Sequence, residues 1–439
     1  MKTLIQASSS KASGSQRQQR PLQVCMYRLG SFRIDIRAKR IASALLAKGH
    51  TVTVFDIETA RTCPVEEMQD GVRVQHLIEP FWYIARRWEP WFFIEAARNF
   101  VRSVKELIKT PADIYHACDV TALPASYIAA VLRRKPLILD MYELPVPVPE
   151  TRIAFWRWTG RFFAYLLRLT LPRCAQVFSV SPGCAQTLRH VCHLSNIQVL
   201  RNVPEYRCVE KSERLRQQLN LPAGTGIALY QGNIQPDRGL EILVRAAPFL
   251  KDGNVIVIMG QGVKDTVCQL QSLITQEGLG DRVKLLPPVP YAELLDWTAS
   301  ADIGLTLFSP DHSLSIRYCL PNKFFEYLMA GLPVLSSSLD DIETAIKAYD
   351  VGQVVPSLTP AAVGAAINAL LADRDALARM SQNALRAARE ELNWQRESAH
   401  LLQLYHEACN AWSLAGGQHH PTSGETVKLS SCAARRFML

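Results

Sequence analysis

Residues 33–57 read RIDIRAKRIASALLAKGHTVTVFDI, and two periodicities meet in them. Ile36, Arg40, Ile41, Ala44 and Leu45 fall three and four apart, the spacing of an amphipathic helix, and Thr51–Phe55 then reads as a strand. Upstream, PLQVCMY is a short apolar run followed by a loop containing Gly30, so the segment forms a β-α-β unit. Further strand-like runs at Asp113–His116, Pro136–Asp140 and Gln176–Val180 alternate with helical patterns. That alternation predicts a parallel, doubly wound α/β sheet.

The pattern then lapses and restarts. After Asn196–Val203, the segment Pro204–Leu221 is polar and charged without strand character. Strands are expected again at Gly226–Gln231, Asn254–Gly260, Val283–Leu286 and Asp302–Leu307, with helices between, which predicts a second Rossmann-like domain. A length of 439 residues agrees with two domains. The expected organisation is a disordered leader (1–20), a first domain (21–205), a linker (206–225), a second domain (226–393), a terminal helix (394–412) and a disordered tail (413–439).

Composition narrows the class. Hydrophobic residues make up 48% of the chain, enough for two packed cores, and 49 basic against 40 acidic residues give a net charge of +9, which favours anionic partners. The 11 cysteines are odd in number and form no C-x-x-C pair, so reduced thiols in a cytoplasmic protein are expected rather than a disulfide framework or a structural zinc site. Residues 1–20 lack the apolar core of a secretory signal. Only residues 351–372 reach membrane-spanning length without a charge, and two prolines, Ser357 and Thr359 interrupt them; Thr359 and Pro360 read as the cap and first residue of a soluble helix.

In an open parallel sheet, ligands bind beyond the carboxyl ends of the strands, where helix starts attract phosphate. ALYQGNIQPDRGLEIL suits that geometry: a strand to Gln231, a turn at Gly232, then Arg238-Gly239 opening a helix. Arg238 offers a forked, permanent cation to a diphosphate, or else is a solvated surface arginine. Gly260 and Gly262 of IMGQG permit close backbone approach. After the first strand, LGSFRID supplies only Gly30, so the dinucleotide fingerprint of an ordinary dehydrogenase is missing. In PNKFFEYLMAGLPVL, residues 321–335, Pro321 reads as a first helical residue and Gly331 as the cap. Asn322, Lys323 and Glu326 then share one helix face. A carboxylate there accepts from ribose hydroxyls while Lys323 adds positive charge at the helix start; the alternative is an exposed Lys–Glu pair.

YQGNIQPDRGLEILVRAAPFL, YAELLDWTASADIGLTLF and LPNKFFEYLMAGLPVLSS, in this order, resemble the GT-B glycosyltransferases of family 4. RIDIRAKRIASALLAKGHTVTVF, DIYHACD and LILDMYELP resemble that family's acceptor-side domain, and the terminal helix with Trp394 and Tyr405 resembles the one that crosses back to it. The resemblance spans about residues 21–412. It implies Glu326 on the donor ribose and Arg238 on the diphosphate; the candidate donor site adds Gly232, Asn233, Gly260, Gly262, Val289 and Tyr318, with Lys323 placed by local electrostatics and Asn322 as its neighbour. Asn233 stands where such enzymes often carry arginine, and Tyr318 stands at the first acid of their E-x7-E pair. On the acceptor side His116, at a strand end, matches the family's active-site histidine; Asp140 and Glu143 likewise end a strand, Asp35 and Arg37 follow the first strand and its Gly30 loop, and all are candidates to face the cleft. Read alone, such a histidine is more often structural than catalytic, and any of the acids is equally a helix cap or surface charge.

The expected activity is transfer of a glycosyl unit from a nucleotide diphosphate sugar to an acceptor hydroxyl, retaining by resemblance, with His116, Arg238 and Lys323 as catalytic candidates. No cofactor, no metal and no nucleic acid is expected, and the Asp373–Asp375 DRD motif reads as a helix start. Residues 81–107 and 152–173 interleave aromatic and basic side chains, the composition of helices at a lipid headgroup surface. They point to an anionic membrane surface, peripheral attachment on its cytoplasmic face, and a carbohydrate or lipid-linked acceptor such as a surface-polysaccharide precursor; the alternative is that the aromatics pack in the core and the arginines face solvent. The alternatives are a nucleotide-sugar epimerase of the same fold, which converts donor without acceptor, and a non-catalytic basic membrane-binding protein.

Overall fold

The computed structural model describes residues 20–78, 90–144, 165, 167–192, 194, 196–236 and 238–416. The expected leader, most of the expected tail and much of both aromatic–basic stretches lie outside them.

Two parallel sheets organise the described residues. The first contains β1 (Gln23–Arg28), β2 (Thr51–Glu58), β3 (Glu66–Gln69), β4 (Val72–Ile78), β5 (Ile114–Cys118), β6 (Leu137–Met141), β7 (Gln176–Ser179) and β8 (Ile197–Val199). Its strand order is β3-β4-β2-β1-β5-β6-β7-β8, and only β3 runs antiparallel to its neighbour. The second contains β9 (Gly226–Gln231), β10 (Asn254–Met259), β11 (Val283–Leu286), β12 (Ile303–Thr306), β13 (Val334–Ser336) and β14 (Gly352–Val354), in the order β11-β10-β9-β12-β13-β14. In β9 and β5 every residue is buried, as expected for parallel strands covered on both faces.

The decisive helix forms at Ile36–Leu46, and Asp35 caps it by accepting the Ala38 N–H at 2.9 Å. The β3–β4 hairpin was not expected; its signal is the Asp70-Gly71 pair, both at positive φ, in the turn between them. Thr359 caps the helix Pro360–Ala372, as its sequence suggests. Asp373 of the DRD motif caps Arg374–Glu390 through the Ala376 N–H. Residues of the expected linker are folded against the second domain: Leu215, in the short helix Arg214–Gln218, is fully buried, and Arg216 holds Asp302 at 2.6 Å.

The helix Trp394–Leu414 runs two residues beyond its expected end and returns to the first domain. Its Glu397 takes the Arg201 side chain at 2.7 Å and backbone N–H at 2.9 Å, and its Tyr405 lies in the first domain's interior. One apolar cluster consequently runs from Val24, Ile41 and Val54 through Leu215 to Phe324, Leu328 and Tyr405.

Helix Asn322–Met329 is seated on the second sheet by Tyr327. Its hydroxyl donates toward the Leu229 carbonyl at 3.1 Å, with the Leu305 carbonyl at 3.3 Å, and accepts from the Gln231 N–H at 3.0 Å. Gly304 makes room for the ring, since a Cβ there would sit 2.3 Å from it. Gly304→Ala is therefore expected to lower the urea midpoint, at a cost of about 1–3 kcal/mol typical of overpacking. An unchanged midpoint would show that the ring does not fill that space.

Candidate functional site

The carboxyl edge of the second sheet gathers two cations and three glycines. Gly232 follows β9 and Gly260 follows β10; a Cβ on Gly260 would lie 1.8 Å from the Gly232 carbonyl oxygen, so the two turns touch. Gly239 sits at φ +73°, where a Cβ would lie 2.0 Å from the Leu307 carbonyl oxygen, and it starts the helix Leu240–Ala246. Arg238 precedes it, its guanidinium 5.2 Å from the centre of the Phe308 ring. Lys323, near the start of its helix, places Nζ 3.4 Å from the Tyr230 ring centre and 5.1 Å from that of Phe308. The two cations thus share one aromatic wall.

Lys323 is the exceptional group. It is 8% exposed, and its Nζ has no hydrogen-bond acceptor among the described residues. Burial, reinforced by the Arg238 charge, pushes its pKa well below the ordinary lysine value. A Cβ on Gly232 would come within 3.5 Å of Nζ, so the ammonium faces that turn. The arrangement can accept an anion between the turns, Arg238 and Lys323, with no donor having to reorganise.

Glu326 lies one helical turn further on, 6% exposed. Its carboxylate accepts from Gln231 Nε2 at 2.7 Å, while Gln231 Oε1 accepts from the Thr298 hydroxyl at 2.6 Å. Burial raises the Glu326 pKa, and the Gln231 bond and the charges of Arg40 and Lys323 oppose it. Arg40 comes from the first domain: it donates to the Tyr291 hydroxyl at 2.6 Å and to Asn202 at 2.8 Å, bridging to the segment after the half-buried Val289. Asn322, Gly262 and Asn233 line the same edge, and Asn233 is exposed with its carbonyl accepting from the Tyr230 hydroxyl at 2.8 Å.

Tyr318 has a different setting. Its carbonyl accepts from Ser181 Oγ of the first domain at 2.6 Å, and its ring packs so closely on Gly183 that a Cβ there would lie 2.3 Å away. Where an acid of the E-x7-E pair was expected to meet ligand, this chain has an interdomain contact. Beside it, Asp341 accepts the Gly183 N–H at 2.8 Å.

The acceptor-side candidates form a closed network instead of an open face. Arg37 holds Asp140 through two bonds, 2.6 and 2.8 Å, and donates to the Leu200 carbonyl at 2.9 Å; both side chains are buried. Asp35 caps its helix and also accepts from Tyr142 and Arg28. His116 does not end its strand. It is the central residue of β5, fully buried, with Nδ1 2.6 Å from the Tyr405 hydroxyl and Nε2 3.9 Å from Asp140. Burial pushes its pKa down to about 4, which leaves it neutral near pH 7. His116 falls inside its strand because the pairing continues past it, with Ala117 and Cys118 running beside both β1 and β6, and Tyr405 of the terminal helix then covers it. Of the six candidates, Glu143 is exposed and Gly30 lies in the β1 loop at φ +146°.

Sequence reasoning missed Tyr230, Gln231, Thr298, Phe308, Arg40 and Tyr291. The available signal was Gln231, a polar residue closing an otherwise apolar strand.

Two parallel-sheet domains, with a cation-lined glycine edge on the second and a terminal helix returning to the first, define the GT-B architecture. Residues 35–203 match the family described as Glycosyltransferase Family 4, and residues 211–387 match Glycosyl transferases group 1. The D-inositol 3-phosphate glycosyltransferase of Thermobispora bispora is 24% identical over 398 residues, 85% of this chain and 90% of its own. Among solved structures, sucrose-phosphate synthase from Thermosynechococcus elongatus superposes with a TM-score of 0.72 at 20% identity, covering 89% of this chain and all (100%) of that one. Anabaena HepE in complex with UDP-glucose gives 0.65 at 16% identity, covering 90% and 100%. The chain belongs to the family 4 GT-B glycosyltransferases and is a glycosyl-transferring enzyme.

Breaking the Arg37–Asp140 pair tests whether it is structural. Asp140→Asn leaves a buried guanidinium without its counter-charge and is expected to destabilise the protein by about 3–5 kcal/mol, read as a large fall in Tm. A Tm within experimental error of the parent would mean that the pair is open to solvent.

Proposed function

We propose that this enzyme transfers a sugar from a nucleoside diphosphate sugar to an acceptor hydroxyl, with the donor on the second domain. The observation that carries the reading is the buried Lys323 ammonium, without an acceptor among the described residues, beside Arg238 and the Gly232 and Gly260 turns. A diphosphate supplies the missing negative charge. Glu326, one turn away and held by Gln231, is suitably placed to accept from ribose hydroxyls. The HepE complex with UDP-glucose, on the same fold, supports a donor of this class.

In this reading Lys323 and Arg238 stabilise the departing diphosphate, so added Mg2+ is not required, and configuration at the transferred carbon is retained. His116 acts through the network beneath the cleft and does not touch substrate. A direct assay follows free nucleoside diphosphate with and without acceptor. Release that requires acceptor supports transfer, whereas donor conversion without acceptor identifies an epimerase.

Lys323 gives a sharper test. Its pKa is depressed in the free protein, and a bound diphosphate raises it again, so the ammonium is present below the free-state pKa and binding takes up a proton only at pH values above it. Affinity is then greatest below the free-state pKa and falls as pH rises through it. Calorimetry above that pKa with UDP, GDP and ADP in buffers of different ionisation enthalpy is expected to show proton uptake for the nucleotide that binds, and Lys323→Met to abolish it. Unaltered proton uptake in that variant would remove Lys323 from the site.

The acceptor is proposed to be lipid-linked, reached from an anionic membrane surface. Helices Pro90–Lys109 and Leu123–Arg133 pack together and expose Ile94, Val101 and Leu132 at 57, 64 and 62%. Arg98, Arg102, Lys105, Arg133 and Arg134 lie on or next to the same helices. No helix among the described residues is long and apolar enough to cross a membrane. Val101→Glu with Leu132→Glu is expected to reduce cosedimentation with phosphatidylglycerol vesicles at least tenfold while leaving nucleotide binding intact. Equal sedimentation of both proteins would sink the membrane reading.

A further inference from the structure

A second cluster of metal-ligating side chains lies in the first domain, away from the cation-lined edge. Glu58 ends β2, Cys63 sits in the turn after it, and His76 is on β4, where it pairs in register with Asp56. One ligand atom from each of Glu58, Cys63 and His76 lies within 4.8 Å of the other two. The backbone holds them there: the Cys63 N–H donates to the Ala60 carbonyl at 3.0 Å, and the His76 N–H to that of Val65 at 2.8 Å.

The histidine carries the argument. Its side chain is fully buried, and Nδ1 lies 2.6 Å from Asp56, whose other oxygen accepts the Phe32 N–H at 2.7 Å. With Nδ1 directed to Asp56, Nε2 is the ring atom turned to the cluster. It meets a further acceptor there, Glu67 Oε1 at 3.2 Å, which Arg33 also grips. A ring proton on Nε2 satisfies that contact when no ion is bound; a metal ion takes that proton's place, with the half-buried Cys63 and Glu58 converging on the same point. A carboxylate behind the distal ring nitrogen is also how metal-bound histidines are oriented.

We propose that Glu58, Cys63 and His76 form a Zn2+ site, with Asp56 orienting His76 and water in the fourth position. Thiolate, imidazole and carboxylate together suit Zn2+ better than Mg2+ or Ca2+. On binding, the Cys63 thiol gives its proton to solvent as the sulfur–zinc bond forms. The ion ties the turn after β2 to β4. Because Glu58 also accepts from Ser31, the ion bears on the Gly30 loop as well. It takes no part in the transfer chemistry on the second domain.

Cobalt is the probe, since Co2+ substitutes for Zn2+ and a thiolate ligand gives it a near-ultraviolet charge-transfer band. Chelator-treated full-length protein is expected to take up Co2+ stoichiometrically with that band, to lose it on adding Zn2+, and to gain Tm with Zn2+. Cys63→Ser is expected to abolish the band, and Glu58→Gln to weaken Zn2+ binding about tenfold or more, with circular dichroism unchanged. The proposal is overturned if the parent shows no band. It is equally overturned if the band survives in Cys63→Ser, since exposed Cys208 or Cys268 would then be the ligand.

Discussion

A lysine ammonium buried against two aromatic faces, with no acceptor among the described residues, is the constraint on which the second domain is built. Such a group is costly to desolvate, and the ring faces of Tyr230 and Phe308 offset only part of that cost. The helix that carries it must therefore be fixed by other means, and Tyr327 does so through three backbone groups of the sheet. Gly304 is small because Tyr327 is large. The chain of dependence runs from a strand glycine, through an anchored ring, to a cation positioned before any anion arrives.

The first domain follows the opposite principle. Arg37, Asp140, Asp35, Arg28, Tyr142, His116 and Tyr405 are arranged so that most of their charge and hydrogen-bonding capacity is spent internally. A buried ion pair of this kind adds little stability over well-packed apolar residues, but loss of either partner is expensive. The network makes a stiff floor below the β1 and β6 loops. The two halves thus differ: the second domain leaves Lys323 Nζ without an acceptor among the described residues, while the first pairs its buried charges and leaves His116 Nε2 and Arg28 Nε as the unpartnered atoms of this network.

The fold was largely legible because parallel strands and amphipathic helices write their periods directly into residues such as Ile36, Ile41 and Leu45. The β3–β4 hairpin was missed because β3, EEMQ, is short and charged, leaving Asp70-Gly71 and the alternation of VRVQHLI as its markers. At the carboxyl edge of the second sheet, Arg238 and Lys323 could be placed because each lies at a helix start, and Glu326 because it shares a helix face with Lys323. Gln231 and Phe308 could not, because their roles depend on side chains brought in by other elements. His116 shows the limit most clearly. Its strand could be identified, but its position within that strand and the hydroxyl of Tyr405, 289 residues away, could not.

That last contact has a consequence for the order of synthesis. A ribosome delivers β5 long before the helix that carries Tyr405, so His116 and its neighbours emerge without their cover. Until the helix Trp394–Leu414 has been made and has packed back, the first domain has an open seam in its interior. On the nascent chain the amino-terminal half thus waits for its last structural part, which is encoded beyond the whole of the second domain.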